Sequence, residues 1–87
     1  MILAKLIDTV WATRKAESLS GLKFMLAEEA SGTYKGRRFI VADTIGAGIG
    51  DRVIVSTGSG ARRMLGDDNI PIDAVVIGII DSDCNLS

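Results

Sequence analysis

Three glycines at alternate positions, Gly46, Gly48 and Gly50, followed by Asp51, come closest in this sequence to a known chemical device. Successive backbone N–H groups without flanking side chains can form a nest that cradles an anion. The spacing here is G-x-G-x-G, however. It lacks the third glycine of a dinucleotide fingerprint, no helical pattern follows it, and the lysine of a phosphate loop is missing. The residue types favour a tight strand-to-strand connector whose absent side chains let another backbone approach. Five aspartates, Asp8, Asp43, Asp51, Asp73 and Asp81, fall near predicted strand ends and could gather on one rim as an acid–base pair. No His, Cys or Lys partner is placed beside them, and aspartates end strands and favour turns for reasons unrelated to catalysis. The single cysteine, Cys84, has no basic neighbour to stabilise a thiolate. With no histidine and no cysteine cluster, no zinc pattern exists, and neither cofactor nor metal is expected.

Nucleic-acid binding needs stacking aromatics and a basic groove. Only Trp11, Phe24, Tyr34 and Phe39 are available, the basic pairs Arg37-Arg38 and Arg62-Arg63 are isolated, and the net charge is −1. These arginines read as solvated charge or as ion pairs at a subunit contact. Trp11 is open to two readings, as the anchor of a subunit contact or as a cap on the core.

The elements that must position these residues are short strands punctuated by glycine. Residues 1–11 alternate with Ile2, Ala4, Leu6 and Val10 on one face and Leu3, Ile7 and Trp11 on the other. Residues 13–20 form a polar loop. Residues 22–28 alternate again, with Leu22, Phe24 and Leu26 opposite Lys23. A second loop holds Ser31-Gly32 and Lys35-Gly36, and residues 37–43, 52–56 and 73–81 supply three further strands. Ser59 is placed to cap a short helix or turn through Leu65. Five strands and one helical segment predict an all-β, five-stranded barrel of OB type. The second faces of the strands, with Leu3, Ile7, Ile54, Val76 and Ile80, are apolar enough to meet neighbours.

A chain of 87 residues gives one expected domain, residues 1–87. Its apolar burial and its ordering entropy are each on the order of 130 kcal/mol, so a lone copy is marginal. A single cysteine excludes an internal disulfide, and 47% hydrophobic residues is a surplus for so small a unit. Oligomerisation is the remaining source of stability. No apolar run reaches a membrane-spanning length of about 18 residues. With no signal-peptide layout, the expected place is the cytoplasm, without membrane contact.

Four segments, MILAKLIDTVWATRK, SLSGLKFML, VADTIGAGIGDRVIVSTGSGARR and PIDAVVIGIID, come in the order found in a known family. The combination of GAGIGD, GSGAR and the closing PIDAVVIGIID resembles the EutN/CcmL family of bacterial microcompartment vertex proteins. The resemblance implies an OB-like barrel that assembles as a pentamer, closes the five-fold vertices of a polyhedral shell and meets hexamer-forming facet proteins. It implies no catalysis and no nucleic acid. The loop at Ala16-Glu17 and the stretch Ala30-Ser31-Gly32-Thr33-Tyr34 depart from the common family pattern. The expected subunit-contact residues are Gly46, Ala47, Gly48, Ile49, Gly50 and Asp51, with Trp11 and Arg62. The alternatives are an OB-type module binding single-stranded nucleic acid or an oligosaccharide, and a small enzyme using the aspartate rim.

Overall fold

Alternation of apolar side chains around small ones dictates strands whose inner faces fill a narrow barrel. The computed structural model describes residues 1–11, 21–66 and 72–81. The predicted loop 13–20, the departure at Ala16-Glu17, Pro71 and the Cys84 segment lie outside the described residues. The elements are β1 (Ile2–Val10), β2 (Lys23–Glu29), β3 (Arg38–Asp43), β4 (Arg52–Thr57), α1 (Ser59–Met64) and β5 (Ala74–Ile79). The strands form a closed barrel in the order β1-β2-β3-β5-β4. Every neighbouring pair is antiparallel except β3–β5, which is parallel and joins only Ala42 to Val75 and Asp43 to Val76.

The interior holds Ala4, Leu6, Met25, Ala27, Val41, Val53, Val55 and Val76, with Ile2 and Phe39 packed against them. A second, smaller core lies against the outer wall. There Ala61 of α1 and Ile72 meet Ala42 and Val75, flanked by Leu22, Phe24 and Leu65. Two short cores in place of one large one suit a sheet whose outer face is also apolar. The helix is not capped by Ser59. Its N-cap is Gly58, whose carbonyl accepts from Ala61 N at 3.1 Å, and no side chain caps it.

Two bulges correct the face assignments. The β1–β2 register jumps between Leu6 and Asp8, leaving Ile7 as the extra residue. Thr9 then turns inward, its hydroxyl donating to the Met25 sulfur at 3.7 Å, while Val10 pairs with Phe24 on the outside. Val10 therefore does not continue the face of Ile2, Ala4 and Leu6. The β4–β5 register jumps between Ile54 and Val55, so Val55 faces Val76 and Ile54 faces Gly78. Val76 is 0% exposed and belongs to the interior, not to the outer apolar face. A bulge inserts one residue and reverses the parity of everything beyond it.

Leu6→Ala should cost about 2–5 kcal/mol by opening a cavity in the barrel. Ile7→Ala, at a half-exposed bulge, should cost less than half as much. Urea unfolding of the two variants, with equal losses as the contrary outcome, checks the inside–outside assignment.

Candidate subunit interface

The connector between β3 and β4 is held by its own polar atoms. Gly46 and Gly50 have φ of 85° and 92°, values that L side chains rarely adopt. The Gly48 amide donates to Asp51 Oδ2 at 2.8 Å, and the Asp51 amide donates to the Gly48 carbonyl at 3.1 Å. The turn is clipped to β1, since Gly50 N donates to Leu6 O at 2.8 Å and Leu6 N donates to Asp51 O at 2.9 Å. The Gly48 amide is thus taken by the chain's own carboxylate and the Gly50 amide by the Leu6 carbonyl, which argues against a phosphate cradle at this turn.

From inside the barrel the connector is anchored by Lys23. Its ammonium donates to the Ala47 carbonyl at 2.5 Å and lies 3.3 Å from Asp43 Oδ2. The Asp43 carboxylate is fully buried, and its other oxygen accepts from Ile45 N at 3.1 Å. That Lys23 ammonium is the counter-charge of an oxygen with no hydrogen-bond donor of its own. At the opposite end, Arg37 Nη2 lies 2.6 Å from Glu29 Oε1 and packs over Tyr34 and Phe39, 5.1 and 5.9 Å from their ring centres. Each end of the barrel therefore carries an ion pair with one buried carboxylate.

The expected contact residues divide into groups. Ala47 is 1% exposed and points into the interior, so its side chain is part of the protomer core. Ile49 is 64% exposed at the tip of the turn, next to exposed Gly46 and Gly50 and half-buried Gly48 and Asp51. Trp11 is 89% exposed and borders a groove with Thr9, Val10, Gly21, Leu22, Lys23 and Phe24. Lys23 thus links the Trp11 groove to the connector. Arg62 sits half-buried on α1, and among the described residues no hydrogen bond or ion pair joins it to the connector. Asp43 is one of the aspartates expected at a rim, but the expectation that no lysine stands beside them is corrected: Lys23, which reads as outward-facing in an alternating strand, lies against it at the barrel mouth.

The other chemical candidates resolve into structural roles. Asp8 accepts its neighbour Thr9 N at 2.8 Å, and Arg38 pairs with Glu28 at 3.1 Å. Among the described residues, no group of three His, Cys, Asp or Glu is arranged to hold a metal. No described helix is long and apolar enough to cross a membrane.

Residues 1–81 match the family model described as "Ethanolamine utilisation protein EutN/carboxysome". The chain is 46% identical over 84 residues to the microcompartment shell vertex protein GrpN of Rhodospirillum rubrum, covering 94% of both chains. It is 39% identical to the carboxysome shell vertex protein CcmL of Synechocystis, covering 94% of this chain and 84% of that one. The solved pentameric shell protein GrpN from Rhodospirillum rubrum superposes with a TM-score of 0.81 at 41% identity, covering 99% of this chain and 100% of that one.

Lys23→Met should cost about 1–3 kcal/mol, because it leaves the Asp43 carboxylate buried without its counter-charge. Adding Asp43→Asn should recover most of that loss. Urea midpoints for the single and double variants check it. A loss no larger than that of exposed Lys35→Met would contradict the anchoring role.

Proposed function

The chain belongs to the EutN/CcmL family of microcompartment shell vertex proteins, and from that premise we propose that five copies close into a ring capping a shell vertex. The role is structural, with no catalytic step. The observation that carries this is the end-to-end match to a pentameric shell protein at 41% identity. A vertex unit needs no cleft for chemistry. It needs identical copies that meet through two different patches and close after five steps.

The surface supports that reading. Trp11, Ile40, Ile45, Ile49, Ile54, Met64 and Ile79 are large apolar side chains left exposed on a small protomer. Such area is usually covered by a partner. We place Ile49 and its flanking residues Gly46, Gly48, Gly50 and Asp51 at a copy-to-copy contact, with Trp11 and Arg62 as further contacts and Ala47 as the internal anchor. All 87 residues would act as one shell-forming unit. A flat hexagonal sheet acquires curvature where a five-fold unit replaces a six-fold one, so hexameric facet proteins are the proposed lateral partners. The proposed location is the shell of a cytoplasmic microcompartment.

An OB-type nucleic-acid module fits less well. The exposed aromatics, Trp11 and Tyr34, are not joined by a basic groove, and Arg37 and Arg38 are engaged by Glu29 and Glu28.

Native mass spectrometry of the purified protein should give a five-fold mass. Ile49→Asp should shift it toward single copies while leaving the circular dichroism of the barrel unchanged, since that side chain is exposed. Gly48→Asp should act in the same direction. The wild-type protein should also co-assemble with a hexameric shell protein. A stable single copy at micromolar concentration would overturn the ring.

A further inference from the structure

Among the described residues, the β3–β5 seam of the barrel is the shortest. Glu29 N donates to Arg37 O at 2.8 Å, and the β2–β3 register runs from there through Glu28↔Arg38 to Lys23↔Asp43. In an antiparallel ladder alternate residues face the partner. On β3, therefore, residues 37, 39, 41 and 43 turn their backbone groups toward β2, and Arg38, Ile40 and Ala42 turn theirs toward β5. Only Ala42 finds β5, because the parallel ladder begins at Val75. The chain before Ala74 has already been drawn away. The Asp73 carbonyl accepts from Gly58 N at 2.8 Å, and Ile72 is buried in the second core beside α1. The backbone N–H and C=O of Arg38 and Ile40 are left on an exposed strand edge without a partner among the described residues. Beside this edge runs a cleft of about 550 Å³ bounded by Ile2, Phe39 and Ala74 and rimmed by Arg37, Arg38 and Asp73.

An open edge with an adjacent cleft accepts an extended segment as an added strand. We propose that in the ring this edge is taken by residues 82–87 of the neighbouring copy. This rests on the ring proposed above. Three features of the chain select that segment. Its alternation places Cys84 and Leu86 on one strand face and Asp83 and Asn85 on the other. The first pair matches the apolar residues that bound the cleft, Ile2, Phe39 and Ala74. Asp83 falls on the rim side, where Arg37 is held by Glu29 and Arg38 only by an exposed pair with Glu28. Third, reach favours a neighbour. The segment follows Asp81, whose carbonyl accepts from Arg52 at the start of β4, whereas the cleft is lined by Thr57 at that strand's end. That offset is roughly 17 Å along β4. Six residues span at most about 21 Å. Within one copy the segment would spend nearly all its length on the return path, while a neighbour's segment has its full length to pair.

Deuterium exchange resolved to single amides tests this on the assembled wild-type ring, on a ring lacking residues 82–87, and on the Ile49→Asp single copy. The Arg38 and Ile40 amides should exchange at least tenfold more slowly in the wild-type ring than in either other sample. Phe39 and Val41, bonded to β2, should not differ. Adding the peptide of residues 81–87 to the truncated ring should restore protection. Fast exchange at Arg38 and Ile40 in an intact five-fold ring overturns this inference and leaves the ring standing. Protection that survives truncation assigns the edge to another segment, and protection in the single copy assigns it to the chain's own segment. Both overturn it. If truncation prevents assembly, Leu86→Asp in the full chain replaces it, with the same loss of protection expected. A wild-type chain that never forms a ring overturns both proposals.

Discussion

Five strands closing on themselves enclose so little space that small and medium side chains fill it, and this constraint governs the rest of the molecule. The interior is built from Ala, Val, Leu and Met, with Phe39 admitted only as a partly buried flank. A sequence that is 47% hydrophobic cannot put all of that inside so narrow a barrel. Some goes into the second core under α1, where Ala61 and Leu65 cover Val75 and Phe24. The remainder stays exposed, with Ile40 and Ile54 on the outer wall and Ile49 at the turn tip. The surplus is a consequence of barrel geometry, and it gives neighbouring copies something to cover.

The same narrowness explains the polar ends. A five-stranded barrel cannot be plugged by a large side chain without splaying its strands. Long basic side chains solve this by laying their stems along apolar surface while their heads stay at the mouth. Lys23 does so at the connector end and Arg37 at the hairpin end, each 44% to 53% exposed and each pairing a buried carboxylate. At the connector end this ties the fold to the proposed assembly surface. Lys23 holds the Ala47 carbonyl, Asp51 holds the Gly48 amide, and Leu6 clips Gly50. Ile49 is thereby presented on a turn whose backbone is fixed on both sides, so little ordering remains to be done when a partner arrives.

Much of this was legible in the sequence, because glycine-bounded alternation is the direct signature of short strands. All five strands and the helix appear where the pattern put them, with ends displaced by at most two residues. The barrel ends and the bulges were not legible. Ile7 is chemically indistinguishable from its neighbours, and nothing in ILAKLIDTV marks it as the residue skipped by β2. The same holds for Ile77 in β5, so Val76 was assigned to the wrong face. Register is set by partners across the sheet, which one strand's sequence does not contain. Lys23 was hidden for a related reason. Alternation predicts which side a lysine leaves from, and at a barrel mouth the inward side still reaches water. In the connector, the glycines announced a tight turn, but Ala47 looked like filler until the barrel closed around it.

Barrel closure also determines how copies can be joined. Among the described residues, β2 is paired on both sides over most of its length, whereas β1 pairs with β4 only over Ile2–Lys5 and β3 pairs with β5 only at Ala42 and Asp43. Association through the barrel can therefore use side-chain faces or such partly covered strand edges, the stretch of β3 before Ala42 among them. A two-fold dimer would pair a patch with itself, whereas a ring pairs two unlike patches on every subunit. This protomer is asymmetric in that sense. An apolar turn tip projects between β3 and β4, and among the described residues an open strand edge lies along β3 itself. A fold with no free edges would have to rely on greasy side-chain contact alone, which tolerates rotation about the contact. A backbone ladder is directional and does not. For a unit that must close after five copies, the proposed directional bonding at one seam would add what apolar burial lacks, a fixed angle between neighbours.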